Sequence, residues 1–288
     1  MNYSALIQNR KSVRAFSDRQ VPYAVLTQLQ DYYRASVRRL VPGLETQLYF
    51  FSTDTRAALE GAAGYNQFLI GAPQYMVLLS EKSPLAGLNA GYMMEDLILK
   101  LTDLDIDSCW LTFTDSDEIK EALGIDSQLE VAAIAAFGYG VKVRRQLRVN
   151  ILSMSNVDIK AKRHYFEPKI GIRDLVSLDT WGNTQGLEDR IGFLGDILWE
   201  AFYAATLSPS YLNRQAYGFL LRDGELLLVS RPDAYNTELD GQLSLGIVLL
   251  HFSAVAQDYV GALRWNLGDN AAEASLPEGF RVIASTTI

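Results

Sequence analysis

The chain has 288 residues, 49% of them hydrophobic and 21% charged, the balance of a globular protein able to bury a sizeable core. Its formal net charge of -8 has the wrong sign for a non-specific nucleic-acid binder; one cysteine excludes an intrachain disulfide framework or a multi-cysteine zinc site, and two histidines leave little for a histidine-based metal centre. Arg10 and Lys11 follow Met1 with no long apolar stretch behind them, and the apolar run Leu245–Phe252 falls far short of the ~18 residues that span a bilayer, so the expectation is a cytoplasmic protein with neither a membrane nor a nucleic-acid partner.

In chain order, Ser4–Asn9 and Pro22–Arg39 read as helices, with Pro22 suited to a first helical turn. Gln47–Ser52 and Gln74–Leu79, rich in aromatic and branched residues, read as strands. Ala90, Met94, Leu97, Leu101 and Leu104 recur at alternating spacings of 4 and 3, which gives a helix one apolar stripe. Val131–Phe137 reads as a buried strand. The segment Val141–Asp179 has no convincing period and reads as a long connection; Lys142, Arg144, Arg145, Arg148, Lys160, Lys162, Arg163 and Lys169 crowd into it. Beyond it, Glu188–Thr206 reads as a helix. Tyr217–Arg222 and Glu225–Val229 flank Asp223-Gly224, a tight-hairpin signal. Leu245–Gln257 is apolar on nearly all sides and reads as a buried helix, followed by strands at Val260–Trp265 and Phe280–Ser285. Helix, strands, buried helix and strand therefore occur twice, as in a degenerate internal duplication. The division is a first half over residues 1–150, a connecting segment over 151–180 and a second half over 181–288. The fold class is α+β, a mixed, mostly antiparallel sheet in each half with helices around and between.

Three segments could carry chemistry. If Arg10-Lys11-Ser12-Val13-Arg14-Ala15-Phe16 is extended, Arg10, Ser12 and Arg14 share one side, and two guanidiniums flanking a hydroxyl suit a phosphate. On composition alone such a run reads more readily as a solvated basic turn. Ser208-Pro209-Ser210-Tyr211-Leu212-Asn213-Arg214-Gln215 offers hydroxyls, amides and a proline-fixed turn, or is an ordinary helix-to-strand loop. Ser108-Cys109-Trp110-Leu111-Thr112-Phe113 follows the central helix; Cys109 has no base or cation close in sequence and reads as a buried free thiol. His251, inside an apolar helix, reads as a core histidine. Gly138-Tyr139-Gly140 lacks the third glycine of a dinucleotide fingerprint, and the chain has no phosphate-loop or Gly-x-Ser-x-Gly motif.

Together these segments resemble the flavin-dependent nitroreductase family, most nearly its single-chain, TM-nitroreductase-like branch, in which two nitroreductase-like halves lie in one polypeptide. The N-terminal run is similar to the family's opening motif, and Gly71-Ala72-Pro73-Gln74-Tyr75-Met76-Val77 to the start of a family strand. Ala90-Gly91-Tyr92-Met93-Met94-Glu95, Leu101-Thr102-Asp103-Leu104 and Ser108-Cys109-Trp110-Leu111 are similar to its central helix and following strand. Ser208-Pro209-Ser210 with Asn213 and Gln215 looks like its Ala-Pro-Ser-x-x-Asn-x-Gln segment, and Leu245-Gly246-Ile247-Val248 with His251-Phe252 looks like the core helix of the second half. The resemblance implies a nitroreductase-like fold in which an intramolecular pseudo-dimer replaces the family's homodimer, hence a monomer with one FMN site.

Residue by residue, the resemblance assigns Arg10 and Ser12 to the FMN phosphate, with Lys11 in the same motif, and Arg14 to the pyrimidine edge of the flavin. Backbone groups near Leu111 and Thr112 would face flavin N5. Pro209, Ser210, Asn213 and Gln215 would contact the flavin from the second half. Lys162-Arg163 resembles the basic pair that closes on the phosphate, with Arg144-Arg145 as the rival assignment. The implied activity is NAD(P)H-dependent, ping-pong hydride transfer through flavin N5 to a small-molecule acceptor, nitroaromatic or quinone-like, with no catalytic side chain and no metal. The sequence departs from the branch at Asp105, Asp107, Thr112 and Phe113, where relatives carry glycines. That departure keeps a flavin-binding or sensing protein without turnover as the alternative.

Overall fold

The computed structural model describes residues 1–66, 68–141, 147–153, 156–161, 168–261, 263–268 and 276–288. The first half opens with α1 (Tyr3–Asn9), capped by the Asn2 side chain, and α2 (Tyr23–Ala35). Then come β1 (Thr46–Ser52), the short α3 (Arg56–Leu59), β2 (Gln74–Ser80), the long α4 (Ala86–Asp103), β3 (Asp107–Leu111), α5 (Ser116–Leu123) and β4 (Glu130–Gly138). A hairpin of β5 (Leu147–Ser153) and β6 (Asn156–Ala161) follows, then α6 (Ile172–Leu175) and β7 (Val176–Leu178). The second half adds α7 (Leu187–Leu194), α8 (Asp196–Thr206), β8 (Tyr217–Arg222), β9 (Glu225–Ser230), α9 (Glu238–Val260), β10 (Asn266–Leu267) and β11 (Arg281–Thr287).

Two sheets repeat one plan. The first runs β1-β2-β4-β3, antiparallel throughout; the second runs β10-β11-β9-β8-β7, with only the β7–β8 pair parallel. Read from opposite edges, β3-β4-β2-β1 matches β10-β11-β9-β8, and in both halves a long helix follows the second central strand. The period-2 alternation of strand side chains splits β2 between two cores: Met76 and Leu78 face the cluster under α4, while Tyr75, Val77 and Leu79 face the cluster under α3 and α5. β9 divides likewise, with Leu226 and Leu228 on one face and Leu227 and Val229 on the other.

The halves meet where α4 crosses α9. A side chain at Gly91 would collide with the Leu243 backbone, and one at Gly246 with the Leu88 carbonyl. Each helix therefore presents a glycine to the other's backbone, which permits the close approach. α9 also packs on α8, so its apolar surface is covered nearly all round. By length and hydropathy Glu238–Gln257 could cross a membrane, but 78% of that stretch is buried in the protein core. α1 does not stay with its own half: Tyr3 and Ile7 share a core with Phe202, Phe219 and Phe252 of the second half.

Four sequence readings change. The Glu188–Thr206 helix is two helices, broken at Gly195, whose φ of 107° an L side chain resists. The Pro22–Arg39 helix ends at Ala35, because the Arg38 backbone N–H turns to the Asp96 carboxylate at 2.9 Å. The Val260–Trp265 strand is absent: α9 runs through Val260, and pairing with β11 begins only at Asn266. Trp265 instead donates to Ser253 Oγ at 2.8 Å and packs edge-on to Phe252. The Val141–Asp179 connection contains the β5–β6 hairpin and β7, which joins the second sheet.

If the glycine crossing sets the spacing of the halves, Gly246→Ala should destabilise the protein by ~1–3 kcal/mol, because rigid backbone rather than a flexible side chain must move. Urea unfolding measures this, and the same change at exposed, uncrowded Gly43 should leave the midpoint nearly unchanged.

Candidate functional site

The N-terminal basic run leaves α1 in extended conformation and lies along the ends of β3 and β4. Val13 N donates to Ser108 O at 2.9 Å, Ser17 N to Tyr139 O at 2.8 Å, and Val141 N to Ala15 O at 3.0 Å. Lys11 and Arg14 are exposed and make no ion pair among the described residues, and Ser12 lies partly exposed between them. Arg10 turns inward. Its Nε lies 3.2 Å from Glu95 Oε1, close enough for an ion pair but not aligned as a hydrogen bond, and its Nη1 is buried with no hydrogen-bond acceptor among the described residues.

Glu95 is the centre of this arrangement and is wholly buried. Its Oε1 faces Arg10 Nε and His251 Nε2, the latter at 3.0 Å, and its Oε2 accepts from Trp110 Nε1 at 2.7 Å. Burial alone would raise its pKa. The Arg10 charge, the His251 hydrogen bond and charge, and the Trp110 N–H together outweigh burial and hold the carboxyl below the usual carboxylate range. His251 Nδ1 lies 3.2 Å from the Ala204 carbonyl. One ring nitrogen thus faces a carboxylate of the first half and the other a backbone carbonyl of the second. His251 is the core histidine that its apolar helix implied, and it also ties the second half to a carboxylate of the first.

Around this centre the second half contributes Tyr217 and the Ser208–Gln215 segment. Burial raises the Tyr217 pKa against the hydrogen bond of Gln215, and the nearby Glu95 charge raises it further. Ser208 Oγ is buried and unpartnered by the hydrogen-bond geometry. From the first half Arg10 and Trp110, and from the second half His251, therefore meet at one carboxylate, with Tyr217 close enough to feel its charge. Farther out, the Tyr65 ring of the first half meets Tyr211 of the second, centroids 6.3 Å apart. Cys109 lies in the field of both Arg10 and Arg14, but burial outweighs them and pushes its thiol up, so it is no nucleophile.

The remaining sequence candidates divide. Pro209 is buried. Ser210 Oγ accepts from Gln215 N at 2.9 Å, closing the loop on itself. Asn213 accepts from Lys169 Nζ at 2.6 Å and donates to Pro168 O at 2.9 Å; Gln215 donates to Thr206 O at 2.8 Å and accepts from Ile170 N at 3.0 Å. These two amides hold the incoming 168–170 segment, and left-handed backbone at Leu212, Asn213 and Gln215 shapes the loop around it. Leu111 is buried in β3, and the Thr112 carbonyl accepts from Gly64 N at 2.7 Å. Phe113 packs on the first-half core rather than standing free. Asp105 takes a left-handed φ of 56°, a conformation glycine adopts freely, and the Asp107 carboxylate accepts from Gly140 N at 2.9 Å. Lys162-Arg163 and Arg144-Arg145 lie outside the described residues. Glu95, Trp110 and Tyr217 went unrecognised as functional; the available signal was an adjacent Glu95-Asp96 pair inside an otherwise apolar helix.

The pseudo-symmetry also reaches the loops. Asn89, two residues before Gly91, accepts from Leu40 N and Val41 N at 3.0 and 2.9 Å; Ser244, two before Gly246, accepts from Tyr211 N at 3.3 Å. Asp96 follows Gly91 by the same interval that separates His251 from Gly246. It accepts from the Tyr3 and Tyr32 hydroxyls, each at 2.9 Å, while Arg38 covers the Tyr3 ring and bonds Gln257. Burial raises the Asp96 pKa against these donors. Two surface hollows, about 550 Å³ among α1, α8 and α9 and about 490 Å³ beside Asp179 and Arg190, involve neither converging segment.

With this geometry the comparisons decide the family: residues 2–166 match the model described as "Putative TM nitroreductase". The chain belongs to that nitroreductase family. Membership places it among oxidoreductase enzymes. A putative nitroreductase from Thermotoga maritima shares the fold across 100% of this chain and 94% of its own, with 18% identity and a TM-score of 0.59. An FMN-dependent nitroreductase from Clostridium difficile R20291 aligns over 48% of this chain and 88% of its own, at 19% identity and a TM-score of 0.42. A putative NADH oxidase from Clostridium acetobutylicum aligns over 48% and 89%, at 18% identity and a TM-score of 0.41. No curated protein matches. The architecture is accordingly the nitroreductase-like α+β fold, two tandem halves in one chain.

Two expectations follow. A carboxylate whose folded pKa lies below its unfolded value contributes stability above the unfolded pKa and loses it as pH falls through the folded one. The melting temperature of Glu95→Gln should therefore lie below that of the parent at neutral pH, and the gap should close in acid. Asn213→Ala should cost ~1–3 kcal/mol by releasing the Lys169 and Pro168 contacts, read as a lower unfolding midpoint.

Proposed function

We propose that this nitroreductase-family chain is an FMN-dependent NAD(P)H oxidoreductase with one flavin site, at the junction of its two halves. The observation that carries the reading is Arg10, held beside Glu95 where His251 of the second half also reaches, with its Nη1 buried and lacking an acceptor among the described residues. A buried, unpaired guanidinium N–H costs about as much as a lost hydrogen bond, and an anionic group supplies the missing acceptor. Ser12, Lys11 and Arg14 extend the same donor set toward solvent, so the residues present fit a phosphate-bearing group at this end.

FMN, when bound, supplies the two-electron chemistry between a reduced nicotinamide and an organic acceptor. The chain's own residues bind and orient. Arg10 and Ser12 hold the phosphate, Arg14 offers positive charge toward the ring, and the Ser210–Gln215 loop approaches from the second half. The paired tyrosines Tyr65 and Tyr211 border the junction, where donor and small-molecule acceptor, nitroaromatic or quinone-like, take turns in ping-pong order. The side matching His251 is filled by Asp96, Tyr3, Tyr32 and Arg38, which leaves one flavin per chain and favours a monomer.

The purified protein should be yellow or turn yellow on titration with FMN, saturating at about one flavin per chain, and anaerobic NADH or NADPH should bleach it. A protein that takes up no FMN overturns the reading; bound FMN that neither nucleotide bleaches supports a binding protein without turnover. Arg10→Ala should weaken FMN binding roughly 10–100-fold, the worth of a charged hydrogen bond.

A further inference from the structure

We infer that Glu95 and its partner His251 are positioning residues that aim Arg10, so that the first half's phosphate grip exists only while the second half is docked. The inference rests on the flavin reading above. Glu95 is wholly buried, hydrogen-bonded by His251 and Trp110 and ion-paired with Arg10. His251 is equally buried and spends both nitrogens on Glu95 and Ala204.

Arg10 sits just past the end of a seven-residue helix, on backbone already extended, and among the described residues Glu95 is its ion-pair partner. A guanidinium is a rigid planar fork, so fixing its Nε edge also fixes the direction of its two Nη groups. Glu95 sets its charge against that edge, 3.2 Å from Nε, as an ion pair rather than a hydrogen bond. Arg10 would otherwise be a flexible side chain, and ordering it on ligand binding would consume affinity.

His251 makes the device an inter-half one. The carboxylate belongs to α4 and the imidazole to α9, and both stand near the glycine crossing that brings the two helices together. The crossing sets the spacing, the imidazole holds the carboxylate, and the carboxylate aims the guanidinium. Arrangements with no such coupling would have left Glu95 a costly isolated buried charge.

The test compares FMN with riboflavin, which has the same ring but no phosphate, by quenching of flavin fluorescence on titration into the full chain. The parent should bind FMN more tightly than riboflavin. Glu95→Gln should shrink that preference about tenfold or more while riboflavin affinity shifts only slightly, because only the phosphate grip is misaimed. His251→Gln, which returns an N–H toward Glu95, should retain more of the preference than His251→Ala. Trp110→Phe, which removes the Nε1 donor together with part of the ring but keeps an aromatic side chain, should shrink it several-fold and carries the test where Glu95→Gln fails to fold. Equal losses for both flavins, or an unchanged preference in folded Glu95→Gln or Trp110→Phe, overturn the inference and leave Glu95 merely structural. A parent that binds riboflavin as tightly as FMN overturns the phosphate grip itself, and one that binds neither overturns the flavin reading.

Discussion

The close crossing of α4 and α9 is the constraint on which the rest of the molecule depends. Two glycines, one per helix, bring backbone against backbone and place the buried polar residues of both helices within hydrogen-bond reach. A wider crossing would leave the Glu95 carboxylate with Arg10 and Trp110 but without His251, and a buried charge short of partners is expensive. The same crossing lets α1 lie over the second-half core, so each half completes the other's interior. The two halves are therefore thermodynamically one unit, although their topology repeats.

Duplication followed by divergence explains why equivalent positions now do different work. Asn89 and Ser244 keep the same task, accepting backbone N–H groups from the segment that precedes β1 in one half and β8 in the other. Asp96 and His251 have parted. Asp96 gathers two tyrosine hydroxyls and the Arg38 backbone into a closed cluster, whereas His251 reaches across to Glu95. One side of the pseudo-dimer is filled by this cluster, and the other keeps a guanidinium N–H and a serine hydroxyl without hydrogen-bond partners among the described residues. Asymmetry in hydrogen-bond satisfaction, rather than in fold, distinguishes the two sides.

The second-half loop shows how a motif can be present and yet work locally. Asn213 and Gln215 stand where the family resemblance put ligand contacts, but their amides are committed to Pro168, Lys169, Ile170 and Thr206. They anchor the returning chain where it enters the second half, and the left-handed backbone at Leu212 and Asn213 is the cost of that tight turn.

Local chemistry was enough to read most of the elements, because period-2 and 3.6-residue patterns report burial directly: β1, β2, β4, β8, β9, β11 and the two core helices follow them closely. The opening basic run, the 208–215 loop and the buried state of His251 were likewise legible from residue type and setting. Tertiary structure alone decided which charges meet. Arg10 and Arg14 look equivalent in sequence, yet one is buried on a carboxylate far along the chain and the other is exposed. Glu95 and Asp96 are neighbours on α4, but successive helix positions point about 100° apart, and so they serve opposite sides of the junction. A pattern of residue types records which side chains leave water; the partner each one finds depends on how two distant helices cross.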